Sequence, residues 1–209
     1  MPRIILLLIG IYVIGTLAGC SRRPKRVEVP DMSPSGIASA AMTTYDANGD
    51  GSLDAQELLQ VPALIDSTEV AMKFVDQNGD GAVSADEIEG RVQHWIDSRV
   101  GLQSFQVHVT QGGRPLVGAE VKLVPEPFMG GTIEEAIGTA DDRGMAVMSI
   151  PEAQLPSNMA RLRGVRSGFY KVEITHPSTA VPAQYNTATT LGVEVAQDIE
   201  RMGGLIIDL

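Results

Sequence analysis

The chain is predicted to fold as an α + β multidomain molecule, a small all-α unit followed by an all-β sandwich of about seven strands. Three observations predict this. Residues 34–100 space their apolar side chains as helices do, around two acidic twelve-residue stretches. Beyond Gly101 the apolar residues alternate, and Val, Thr, Gly and Pro become frequent. The change of composition falls at residues 99–103, so the second domain is drawn as 103–209.

The helical part reads element by element. Ser33 can cap a helix with Pro34 at its first position, and that helix carries Ile37, Ala41, Met42 and Tyr45. Asp54 and Glu57 have the spacing of a capping box and start a second helix, which stops by Pro62. Asp66 and Glu69 repeat that spacing before Val70, Phe74 and Val75. Ser84 and Glu87 repeat it again, before Ile88, Val92, Trp95 and Ile96 on one face. Four short helices are therefore expected to share one small core. Leu58 to Val75 must hold a helix, a turn and another helix, which argues against a large opening motion.

The acidic stretches are DANGDGSLDAQE, Asp46 to Glu57, and DQNGDGAVSADE, Asp76 to Glu87. Their oxygens recur at positions 1, 3, 5, 7, 9 and 12, the spacing that lets one loop surround a hard cation. In the first these are Asp46, Asn48, Asp50, the carbonyl of Ser52, Asp54 and Glu57. In the second they are Asp76, Asn78, Asp80, the carbonyl of Ala82, Ser84 and Glu87. Gly51 and Gly81 stand at position 6, where the backbone must turn sharply. Leu53 and Val83 stand at position 8, as a short strand pairing the two loops requires. Both stretches resemble the calcium loop of an EF-hand, which implies two Ca2+ ions. The first loop carries four chelating carboxylates and the second three, so the first is expected to bind more tightly. Met42 and Met72, four residues before each loop, read as core filling or as the lining of a target groove.

The start of the chain reads as a targeting segment. Arg3 precedes an apolar run, Ile4 to Ala18, about fifteen residues long and short for a membrane span. Leu17-Ala18-Gly19-Cys20 then resembles the lipobox of bacterial lipoproteins. That resemblance implies a signal peptide at 1–19, a lipid on Cys20 and anchorage in the bacterial cell envelope, with the outer membrane expected. Cys20 is the only cysteine, so no disulfide within one chain is possible. Residues 20–33 form the anchor and a Pro-containing tether, whose Arg22, Arg23, Lys25 and Arg26 face anionic headgroups or solvent.

In the β part, Phe105, Val107 and Val109 alternate, as do Ala119, Val121 and Leu123, with Gly112-Gly113-Arg114-Pro115 as the turn between them. Glu135–Ala140 and Met145–Ile150 flank a second turn at Asp141–Gly144. Tyr170, Val172 and Ile174 follow, then Val193 and Val195, then Leu205 to Ile207. Pro115 to Val121, Gly138 to Gly144 and Gly168 to Val172 are similar to the carboxypeptidase regulatory-like, or transthyretin-like, β-sandwich. The resemblance implies an accessory or adhesion module. The stretch Pro151 to Gly168, with Arg161, Arg163 and Arg166, reads as a solvated loop or a binding loop.

Composition narrows the function. There are 26 acidic and 16 basic residues, a net charge of −10, and loss of Arg3 takes it to −11. Nucleic-acid binding needs a basic face and is not expected. No nucleophile elbow, zinc-binding helix or phosphate-cradling glycine loop is present, and His94, His108 and His176 share no common spacing. No catalytic residues are assigned and no enzyme is expected. The expectation is an anchored calcium-binding lipoprotein with a structural, adhesion or assembly role. Its partners would be the membrane, through Cys20, and a surface protein or polysaccharide. The alternatives are a calcium-responsive regulator of a partner enzyme and an accessory subunit of a hydrolase.

Overall fold

The computed structural model describes residues 27–65, 70–157, 161–199 and 204–209. The fold is mixed α and β. Helix α1 (Pro34–Tyr45) starts as the sequence indicates, with the Ser33 side chain accepting from the Gly36 N–H at 3.2 Å. It leads to strand β1 (Ser52–Leu53), α2 (Ala55–Leu58), α3 (Pro62–Ile65), α4 (Val70–Val75), β2 (Val83–Ser84) and α5 (Ala85–Ser98).

The described residues of the helical part hold five α-helices rather than four. Pro62 does not merely stop α2. Its fixed φ and missing N–H suit the first position of a helix, and it opens the single turn α3. The Asp66–Glu69 pair lies outside the described residues. The capping boxes at Asp54/Glu57 and Ser84/Glu87 are both formed.

The second part has β3 (Phe105–Gln111), β4 (Arg114–Pro115), β5 (Glu120–Pro125), β6 (Ala136–Thr139), β7 (Met145–Met148), β8 (Gly168–Thr175), β9 (Gly192–Val195) and β10 (Leu205–Asp208). Eight strands stand where about seven were expected, because Arg114–Pro115 pairs with Thr110 and Gln111 instead of belonging wholly to the turn. One sheet has the order β10-β3-β4, with β7 also paired to β3, and β10 runs parallel to β3. The other has the order β6-β5-β8-β9.

Two expected neighbours are thereby separated. β3 and β5 lie in different sheets, since Pro115, which has no N–H to donate, sits in a two-residue strand before the chain crosses over. The turn at Asp141–Gly144 does join β6 to β7. Those strands belong to different sheets and touch through the Ala140–Ala146 and Ile137–Ser149 bridges, so this hairpin is the seam between the sheets.

Alternation delivers the apolar residues as expected. Val107, Val109, Val121, Leu123, Tyr170, Val172, Ile174, Val193 and Val195 are fully buried in one cluster. That cluster does not stop at the compositional boundary, for it also contains Val61, Leu64, Ile88, Val92 and Trp95 of the helical part. Adjacent strand residues point to opposite faces. Tyr170 therefore enters the core between the sheets, while Phe169 turns toward the helices and meets Trp95 edge-on, ring centroids 4.8 Å apart. At Gly192 the helical part comes so close that a Cβ would run into the backbone of Pro62 and Ala63.

The stretch before β8 is not uniformly solvated. Arg161 and Arg163 are exposed, but Arg166 is buried and donates at 2.8 Å to the carbonyls of Glu28 and Gly101. Those carbonyls, with the Glu134 carboxylate 3.3 Å from Arg166 Nε, satisfy the buried guanidinium.

Candidate metal centre

Each loop is built on a helix end. The Asp46 N–H closes α1 on the Met42 carbonyl, and the Asp76 N–H closes α4 on Met72, both at 2.9 Å. The carboxylates then turn inward onto loop amides. Asp46 Oδ1 accepts from Gly49 at 2.7 Å and Oδ2 from Gly51 at 2.9 Å. Asp76 does the same with Gly79 at 2.7 Å and Gly81 at 3.0 Å. Asn48 and Asn78 accept from the amides of Asp50 and Asp80, each at 2.8 Å. Asp50 accepts from Ser52, and Asp80 from Ala82, each at 2.9 Å.

The glutamates at position 12 close both loops. Glu57 Oε1 accepts from Ala47 at 2.8 Å and Asn48 at 3.2 Å, while Oε2 accepts from Asp54 at 3.0 Å. Glu87 Oε1 accepts from Gln77 at 3.0 Å and Asn78 at 3.3 Å, and Oε2 from Ser84 at 2.9 Å. These two carboxylates are buried, and the other side chains of the set are half-buried or exposed. The amide and hydroxyl of Ser52 hold the Asp50 carboxyl below its usual value.

The loops are paired back to back. β1 and β2 run antiparallel with Leu53 opposite Val83, both fully buried, as position 8 required. All twelve expected residues thus lie in two equivalent loops joined by one short ladder. Sequence reasoning overlooked Gly49 and Gly79. They have φ of 73° and 75°, beside 88° and 84° at Gly51 and Gly81, so positions 4 and 6 are both left-handed. The repeated Asn-Gly-Asp-Gly string was the available signal.

The donor set suits a hard cation: carboxylates, an amide oxygen, a carbonyl and, in the second loop, a hydroxyl, with no sulfur or imidazole. Among the described residues no three His, Cys, Asp or Glu side chains converge as a ready metal cage. Charge explains this, since like carboxylates separate onto backbone amides, and two of the six donors in the first loop and three of the six in the second are of other kinds. A cation would supply the positive charge around which these oxygens gather.

Three further groups lie behind the loops. Glu126, after β5, accepts from the Tyr45 hydroxyl at 3.4 Å and the Ala63 N–H at 3.2 Å. Burial raises its pKa, and burial together with the Glu126 charge pushes the Tyr45 phenol up to about 12. Glu194 of β9 accepts from Arg91 Nε and, at 2.9 Å, from Trp95 Nε1. Arg91 also grips Asp198 through two bonds of 2.7 and 2.9 Å. Burial lifts the Glu194 carboxyl to about 7, more than Arg91 pulls it down. At Arg91 the balance is opposite. Burial disfavours its charge, but two carboxylates outweigh burial and its pKa rises. Asp198 is more open to solvent, and there Arg91 wins over burial and lowers the pKa.

None of these three was singled out from sequence. Arg91 had a signal, since it shares helical spacing with Glu87 and Trp95 on the face of α5 that also buries Ile88 and Val92. Glu194 alternates with Val193 and Val195 and so reads as solvent-facing, but here the strand is covered on both faces. The three histidines bond to separate partners: His94 to Asp198, His108 to the Arg143 carbonyl and His176 to the Val117 carbonyl. Met42 and Met72 are half-buried against the core.

The sequence profile described as EF hand matches residues 40–62 and 69–90. The matched segments enclose both loops and support calcium as their ion. No curated protein and no solved structure gives a significant match.

Proposed function

We propose that this chain is a lipid-anchored protein of the bacterial cell envelope that binds two calcium ions, one per loop, and uses them for a structural, adhesion or assembly role without catalysis. The observation that carries the reading is the pair of loops with equivalent hydrogen bonds, locked back to back by Leu53 and Val83. The ligands are Asp46, Asn48, Asp50, Ser52, Asp54 and Glu57 in one loop, and Asp76, Asn78, Asp80, Ala82, Ser84 and Glu87 in the other. Position 7 ligates through its carbonyl. The two sheets are read as a transthyretin-like sandwich, the module that meets a protein or polysaccharide at the surface.

A structural role is favoured over sensing by the way the helices are seated. α3 packs on β9 at Gly192, and Trp95 of α5 is buried against Phe169. Helices held like this have little room to swing. The lipid is proposed from residues 17–20 alone, since Cys20 lies outside the described residues.

Calorimetric titration of residues 21–209 with calcium, and with magnesium as control, tests the metal reading. Two calcium-preferring sites are expected. No heat up to millimolar calcium would sink it. Replacing Cys20 with Ser tests the anchor, and incorporation of labelled fatty acid into the chain should then be lost.

A further inference from the structure

We propose that the β part positions the calcium loops, through two buried clasps that each hold both flanks of one loop. This rests on the calcium reading above. The second clasp is centred on Arg91. It sits on α5, one turn after Glu87, the closing ligand of the second loop. Its guanidinium lies 5.0 Å from the ring centroid of Phe74, on α4, the helix that leads into that loop. It then reaches across to Glu194 and Asp198 of the β part. One side chain thus touches the helix before the loop, belongs to the helix after it and is tied to the sheet.

The first clasp has the same plan with other chemistry. Glu126 comes from the β part. One oxygen takes the hydroxyl of Tyr45, the last residue of α1 and the neighbour of Asp46. The other takes the Ala63 N–H of α3, directly beyond α2. Phe128, two residues on, meets the Tyr45 ring edge-on at 6.1 Å. Here a carboxylate from the β part joins the helix before the loop to α3, the helix that follows α2.

Calcium must draw the position-1 and position-12 ligands together, and these residues stand at the end of one flanking helix and the start of the other. A clasp that sets the spacing of those helices sets part of the cost of closing the loop. By linkage the effect is reciprocal, so an ion in the loop must tighten the clasp that favours its binding. Arg91, Glu194 and Glu126 are positioning residues, and none of them touches the ion.

The chain supplies its own reporter. Trp95 is the single tryptophan, bonded to Glu194 and edge-on to Phe169. The test is calcium titration of the full chain, read by calorimetry and by Trp95 fluorescence. Glu194→Gln is compared in a Glu57→Gln background, where the second loop binds alone, and Glu126→Gln in a Glu87→Gln background. We expect Trp95 emission to change with calcium, and each clasp variant to lose about fivefold or more in affinity at its own loop. If Glu194→Gln does not fold, the Arg91→Met/Glu194→Leu pair removes both charges and carries the same expectation. Folded variants within about twofold of their parents, with a flat Trp95 signal, overturn this inference alone. A parent chain that takes up no calcium overturns the metal reading as well.

Discussion

The two loops are copies in backbone and opposites in support. Asp46 and Asp76, Asn48 and Asn78, and Glu57 and Glu87 accept from the same loop amides, apart from one extra bond at Asp46 and one at Glu87. Position 9 differs, being Asp54 in one loop and Ser84 in the other, though each caps the following helix. Behind the first loop is one buried carboxylate meeting a phenol and an amide. Behind the second is a guanidinium shared by two carboxylates. The loop is thus a fixed solution to coordinating an ion, while its attachment to the rest of the chain is open to different chemistry.

The comparison is broken or sharpened most strongly at Arg91. Above pH 7, where Glu194 is charged, Arg91→Met leaves it buried with no charged partner, and about 3–5 kcal/mol of stability should be lost in urea unfolding. Glu126→Gln keeps an oxygen for hydrogen bonding and should cost about 1 kcal/mol. Equal losses at the two sites would erase the distinction between them.

Next in size is a pH effect specific to the second clasp. The Glu194 carboxyl titrates at about 7 in the fold, against the ordinary 4.5, because burial disfavours its charge and Arg91 only partly restores it. The folded state therefore holds this proton more tightly than the unfolded chain does. Its contribution is full below pH 4.5 and is lost as pH rises through 7, by an amount on the order of 3 kcal/mol. The groups facing Glu194 are Arg91, Trp95, Asp198 and, beyond Asp198, His94. Melting temperatures of the parent and of Glu194→Gln, compared from pH 4.5 to 7.5, should diverge with the parent falling more steeply.

Smaller effects belong to the proposed ligands. Glu57→Gln should weaken calcium binding by about tenfold or more, and by more than Glu87→Gln, because it takes charge from the more acidic loop. Calorimetry on both single variants ranks them, and the reverse order would refute the charge-count argument. The smallest change is to exchange position 9. Asp54→Ser with Ser84→Asp keeps both caps and moves one carboxylate between loops, so the affinity order should reverse by a few-fold.

Much of the helical part was legible because its signals are local. Ser33, Asp54 and Ser84 each announce a helix that starts at the next residue, and the loop pattern is complete within twelve residues. The strands were legible for the same reason, as Val107/Val109 and Val172/Ile174 alternate over short windows. Partnership was not legible. Nothing near Pro115 says that β3 and β5 go to different sheets, and nothing near Val193 says that both faces of β9 are covered. Arg166 read as a loop cation because its carbonyl partners lie at Glu28 and Gly101, far away in the chain. Glu126 and Glu194 carry no local mark for that reason too. They matter only because of what lies across from them.

The absent side chain at Gly192 limits how this architecture can be recombined. α3 rests on bare backbone there, and even a single methyl group would have to displace Pro62 or Ala63. A pair of loops with its helices transplanted from elsewhere would need a matching flat turn to sit on this strand. A β part transplanted under this pair of loops would need a gap at the position of residue 192. Likeness between the loops would not reveal whether either graft could seat.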